Sequence, residues 1–152
     1  MFRKIIKLII IIFLMVFIFS LSADTGSQSS KKSDSVIVKT CEVILGRKLS
    51  NIEKEKYINK FVKVVRKSAH FLLYFLLGLS IISFISEFTI INYRSITYMV
   101  LIVFLYAVSD EIHQLFVNGR SCEFFDIVID TIGGSIAGFS YLLYRKRRKL
   151  NE

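Results

Sequence analysis

The feature that most restricts this 152-residue chain is a series of apolar runs, at 5–21, 68–86, 95–109 and 127–144, each nearly free of fixed charge. A bilayer gives the backbone no hydrogen-bond partner, so such runs must cross it as helices, and crossing about 30 Å of hydrocarbon takes roughly 20 residues. The runs predict an all-α polytopic membrane protein, a small bundle of three to four transmembrane helices. The chain has no proline, so its helices can run unkinked.

The first run follows Arg3 and Lys4 and is interrupted by Lys7 and Ser20. It reads as a transmembrane helix or a secretory signal, with Ser20 and Ser22 small enough for a cleavage site. On both readings the basic start stays in the cytoplasm and the next segment is exported. That segment, 22–49, is expected as an extracytoplasmic linker, because its first part is built from Ser, Lys, Gln, Asp and Gly and buries too little apolar surface to fold alone. Ser50 with Glu53 has the spacing of a capping box. The helix it opens has an apolar face (Ile52, Tyr57, Ile58, Phe61, Val62, Val65) and is expected to lie on the membrane surface before the second span. Residues 50–144 are expected to form the membrane domain.

The third run has only about 15 uncharged residues, roughly 22 Å of helix. It matches a bilayer only by continuing to about Val117, which carries Asp110, Glu111, His113 and Gln114 to the interface. Asn118-Gly119 then turns the chain. The fourth run ends in Arg145-Lys146-Arg147-Arg148-Lys149, and the tail 145–152 is a cytoplasmic anchor. Both termini are expected in the cytoplasm if the first helix is retained, although the exported segment 22–66 carries 10 Lys and Arg against 5 Asp and Glu. The net charge of +9 flanks apolar runs, where it meets lipid headgroups, so no nucleic-acid partner is expected. Cys41 and Cys122 fit neither a metal-site spacing nor a disulfide framework and read as two unpaired thiols.

This topology gathers polar residues at one face of the bilayer. On the second span Arg66, His70, Tyr74 and Gly78 recur every four residues; on the third Asp110, His113 and Gln114 share a face, with Glu111 beside it. On the fourth Asp126, Asp130, Gly134 and Gly138 recur every four, two carboxylates above a Gly-x-x-x-Gly packing ridge. Arg120 lies in the loop between, near enough to pair with Asp126 or receive an anion. Arg66, Lys67 and Arg120 can also neutralise the acids and simply lock three helices in register. The excess of acids, the two histidines and the cost of ionisable groups in a membrane favour a site over a lock.

Arg66-Lys67-Ser68-Ala69-His70-Phe71 with Tyr74, Asp110-Glu111-Ile112-His113-Gln114-Leu115-Phe116, Gly119-Arg120, and Asp126 to Asp130 with Gly133 together resemble the VanZ-like membrane protein family. The resemblance covers about Ser20 to Phe139. Leu73 stands where members often carry an acid, and Asn118 where they often carry a proline. The family is named for a protein that lowers susceptibility to the glycopeptide teicoplanin, so the resemblance implies a cell-envelope role and an association with antibiotic tolerance, without a reaction.

Three functions follow as expectations. The leading one is binding of an anionic lipid, a lipid-linked wall precursor or a glycopeptide, with Arg66, Lys67 and Arg120 on the anion. The second is an enzyme in which Asp110, Glu111, Asp126 and Asp130 hold a divalent cation at a lipid-linked phosphate while His70 or His113 moves a proton. The third is proton-coupled transport along the same groups, which in so small a bundle would call for a homo-oligomer.

Overall fold

In the computed structural model, which describes residues 1–151, with side chains through Arg148, five helices follow one another: α1 (Phe2–Ser22), α2 (Gly26–Leu45), α3 (Asn51–Ile85), α4 (Tyr93–Gln114) and α5 (Phe124–Asn151). Four of them, α1, α3, α4 and α5, are long and apolar enough to cross a membrane, so the chain has the architecture of a multi-pass membrane protein. Helix α3 packs against all four others and most extensively against α5. Their shared core is Tyr74, Leu77, Ile81, Ile82, Met99, Val103 and Ala107. The outer face of α1, including Ile5, Ile9, Ile12, Phe13 and Val16, is exposed, as suits a surface solvated by lipid tails.

Three local expectations are corrected. The segment 22–49 is largely helical, because Thr25 and Gln28 form a reciprocal cap at the start of α2 and Gly46, at φ 65°, ends it in the left-handed conformation. Ile37 is buried and α2 packs on α3, so a polar helix is stabilised by a narrow apolar contact. Its N-terminus is tied down by a hydrogen bond from Gly26 N to Asn118 O, at an approach so close that a Cβ on Gly26 would fall 2.1 Å from the Gly119 oxygen.

The second correction concerns the amphipathic stretch. Its Ser50–Glu53 capping box is present, but it is not a separate surface helix; it and the second span form one helix of 35 residues, about 52 Å. In addition, α4 ends at Gln114 rather than near Val117, its last carbonyls taken by short turns from Leu115, Phe116 and Val117.

Close helix crossings hold the membrane core together. A Cβ on Gly78 would lie 2.8 Å from Gly134 Cα, and one on Gly134 would meet Val103, so α3, α4 and α5 touch through these two glycines. Near one end of the bundle Lys7 pairs with Glu87 and donates to Ser83 O at 2.9 Å, while Tyr141 Oη donates to Ser86 Oγ at 2.9 Å. The other end gathers the residues described next.

Candidate functional site

Every side chain here lies where the C-termini of α1 and α4, the middle of α3 and the N-terminus of α5 come together. Ser22, the last residue of α1, is buried and donates through Oγ to Asp110 Oδ2 at 2.8 Å; Gln114 Nε2 lies 3.5 Å from the same hydroxyl. Asp110 and Gln114 are one helical turn apart, so both meet α1 from one face of α4. Glu111 Oε2 accepts the Glu123 N–H at 2.8 Å and ties the loop before α5 to the end of α4.

On α3, His70 Nδ1 lies 3.5 Å from Asp130 Oδ2 of α5. Asp130 is fully buried, and neither of its carboxylate oxygens has a hydrogen-bond partner among the described residues. Asp110 Oδ1, Glu111 Oε1, Tyr74 Oη and His70 Nδ1 are likewise buried without one. Tyr74 packs its ring 6.0 Å from Tyr106, whose hydroxyl donates to Met15 O. A concentration of buried polar atoms without partners departs from the usual satisfaction of protein interiors and marks a place where function outweighs stability.

The expected cations divide. Lys67 is held between Glu123, at 3.3 Å, and Asp126, at 2.5 Å, and these carboxylates hold its pKa above the usual lysine value. It therefore staples α3 to the start of α5. Asp126 faces Lys67 and not Arg120. Arg120 instead donates from Nε to Asp24 O (3.1 Å), from Nη2 to Leu21 O (3.2 Å) and from Nη1 to Gln114 Oε1 (3.4 Å). All three acceptors are neutral. Desolvation, then the neighbouring Arg66 guanidinium, lower the Arg120 pKa, while Asp24 has its own partner in Lys32 at 2.6 Å.

These groups surround a cavity of about 270 Å³. Ile18, Leu21, Val36, Val65 and Leu73 line its apolar side; Arg66, Arg120, Ser22, His70 and the Lys32–Asp24 pair supply the polar one. No carboxylate among the described residues is within ion-pair distance of Arg66 or Arg120. An amphipathic cavity lined by two arginines has the chemistry to take an anion carrying a hydrocarbon chain.

Other expected site residues stand apart. His113 stacks on Phe19, with ring centroids 4.0 Å apart, and does not line the cavity. The acids Asp110, Glu111, Asp126 and Asp130, expected as cation ligands, are divided among Ser22, the Glu123 amide, Lys67 and His70. Among the described residues no three His, Cys, Asp or Glu side chains form a group able to hold a metal. Ser22, Asp24 and Lys32 were not anticipated; they fall in the segment read as linker, and periodicity carries no signal for contacts reaching across some 90 residues.

The fold and the site together define a polytopic helical membrane protein with a cavity lined by charged and apolar side chains at one end of its bundle. The model of the VanZ/LLP1 family matches residues 7–145, nearly the whole chain, and the protein belongs to that family. No curated protein and no solved structure matches it.

Proposed function

We propose that this protein is a non-transporting cell-envelope receptor that holds an anionic lipid or lipid-linked wall precursor in the Arg66–Arg120 cavity, tolerance to teicoplanin-type glycopeptides being one outcome of that binding. The observation that carries the reading is the pair of guanidiniums facing one cavity without carboxylate partners. At about 270 Å³ the cavity is smaller than the roughly 300–1,000 Å³ that encloses a drug-sized ligand. It suits a headgroup and the start of a chain better than a whole glycopeptide. A core of Leu77, Ile81, Ile82, Met99 and Val103 lies between the two ends of the bundle, which supports binding over conduction of protons.

The test is native mass spectrometry of the protein released from phosphatidylcholine nanodiscs containing phosphatidic acid. Wild type should retain phosphatidic acid, and Arg66→Ala, which removes no described hydrogen bond, should retain at least tenfold less. Arg120→Ala should lose as much while also loosening α1. Equal retention by Arg66→Ala and wild type would remove the site.

On this reading the cavity faces the cell exterior, with Arg145 to Lys149 in the cytoplasm. Cys122 is exposed in the α4–α5 loop, so an impermeant maleimide should label it in intact cells of a Cys41→Ser variant. Desolvation and the nearby Glu111 carboxylate push its thiol above the usual value. The reactive thiolate is thus scarcer at neutral pH, and labelling should speed up as pH rises from 7 to 9. Labelling that needs cell lysis at both pH values would reverse the orientation.

A further inference from the structure

The anion reading leaves one wall of the cavity unexplained: His70 lines it, although binding an anion needs no imidazole. Its two ring nitrogens sit in different surroundings. Nδ1 is shut away beside Asp130, whereas Nε2 is not among the buried atoms lacking partners. A histidine serving only to join α3 to α5 has no need to present an edge to a cavity. Asp130 itself, fully buried and with no hydrogen-bond donor among the described residues, is a costly group to maintain for packing alone.

The anion's charge is also constrained. Arg66 lies close enough for its charge to act on Arg120, and Asp24, the carboxylate lining the same cavity, is paired with Lys32. A singly charged carboxylate would satisfy one guanidinium; a phosphate dianion, with three terminal oxygens, can accept from both. The apolar wall of Ile18, Leu21, Val65 and Leu73 takes the first part of the attached chain.

We propose that the cavity is the active site of a lipid-phosphate hydrolase in which His70 is the general acid–base, Asp130 positions it, and Arg66 and Arg120 hold the phosphoryl oxygens. In the step, protonated His70 gives its Nε2 proton to the lipid oxygen as the P–O bond to it breaks, while a water oxygen attacks phosphorus from the opposite side and passes a proton to a phosphoryl oxygen. The neutral imidazole then regains a proton from the phosphate product. Lipid phosphate and water become lipid alcohol and inorganic phosphate, with no change of oxidation state. The guanidiniums meet the charge spread over the phosphoryl oxygens as the bond breaks.

This inference rests on the anion-binding reading, and the experiment separates the two. The full chain in phosphatidylcholine nanodiscs is given phosphatidic acid or a polyprenyl monophosphate, with glucose 6-phosphate as the chainless control, and inorganic phosphate is measured beside lipid retention. Phosphate release from at least one lipid and none from the control is expected. His70→Gln should cut kcat by at least 100-fold, with lipid retention measured in parallel to separate lost turnover from lost binding. Asp130→Asn should cut kcat at least tenfold at unchanged KM, whereas a purely structural Asp130 would alter retention and KM as well. Retention of both lipids without phosphate release would overturn the hydrolase and leave the receptor standing. Loss of retention as well removes both, and undiminished turnover in His70→Gln rejects the assigned acid–base.

Discussion

The two ends of the bundle solve opposite problems with the same kinds of residue. At the end of Lys7, Glu87, Ser86 and Tyr141, the polar contacts are reciprocal: the cation meets a carboxylate and a carbonyl, and the phenol meets a hydroxyl. At the other end, Asp110, Glu111 and Asp130 carry carboxylate oxygens without partners, and Arg66 and Arg120 face a cavity. The first arrangement is a lock, in which charges fix helices. The second has acids and cations in one region that stay apart, a state that unaided packing does not favour. Lys67 and Lys32 are the instructive exceptions, for they lie within the second region yet are engaged, Lys67 by Glu123 and Asp126 and Lys32 by Asp24. Charge alone therefore does not distinguish a site from a staple.

The largest expected effect sharpens the comparison through backbone spacing. A Cβ on Gly133 would lie 2.6 Å from the Phe71 carbonyl oxygen, which cannot move without moving α3. Gly133→Ala should therefore cost about 1–3 kcal/mol in reversible unfolding and open the cavity end. A Cβ on Gly138, toward the locked end, meets Met99 Cε, the tip of a flexible side chain, and Gly138→Ala should cost less than about 1 kcal/mol. Equal losses would mean that the α4–α5 contact at Gly138 is as unyielding as the α3–α5 contact at Gly133.

Next in size is a difference of sign. Lys7→Met removes a pair whose side chains are each a quarter exposed, and should cost about 1 kcal/mol with lipid retention unchanged. Asp130→Asn removes a buried carboxylate that has no hydrogen bond and only the 3.5 Å contact with His70 Nδ1, and should leave the thermal midpoint unchanged or raise it. A midpoint lowered as much by Asp130→Asn as by Lys7→Met would make Asp130 another lock.

The smallest effect belongs to a solvent-facing contact remote from both ends. Arg47, then the Ser50 amide and hydroxyl, hold the Glu53 carboxyl down to about 2. The contact is therefore intact above the ordinary value of 4.5 and is lost as pH falls toward 2. Amide exchange, corrected for its intrinsic rate, should rise there at the first turn of α3 only. A simultaneous rise throughout α1 would show that the capped end and the bundle unfold together.

Much of this was legible in the sequence because it is local or periodic. The spans followed from run length, the start of α3 from Ser50 and Glu53, and the meeting of α3, α4 and α5 from residues recurring every four positions. Helix α2 was missed although its signals were present: Thr25-x-x-Gln28 at its start and Gly46 at its end, masked by a composition that reads as disorder. The partition of the cations was not legible. Whether Lys67 or Arg66 faces the cavity depends on rotation of α3 against α5, which the glycine crossings set. The role of α1 was equally hidden, since Ser22 and the Leu21 carbonyl meet partners 88 and 99 residues away.

Those long reaches have a consequence for how the protein is made. Synthesis delivers α1 to the membrane first, when neither Asp110 nor Arg120 exists, and α1 waits through three further helices before its last turn finds them. A chain stalled before the α4–α5 loop thus leaves the Leu21 carbonyl without its Arg120 donor and the N-terminus of α2 without the Asn118 carbonyl that anchors it. The cavity is in this sense a late product of assembly, because its walls come from α1, α2, α3 and a loop made only after α4.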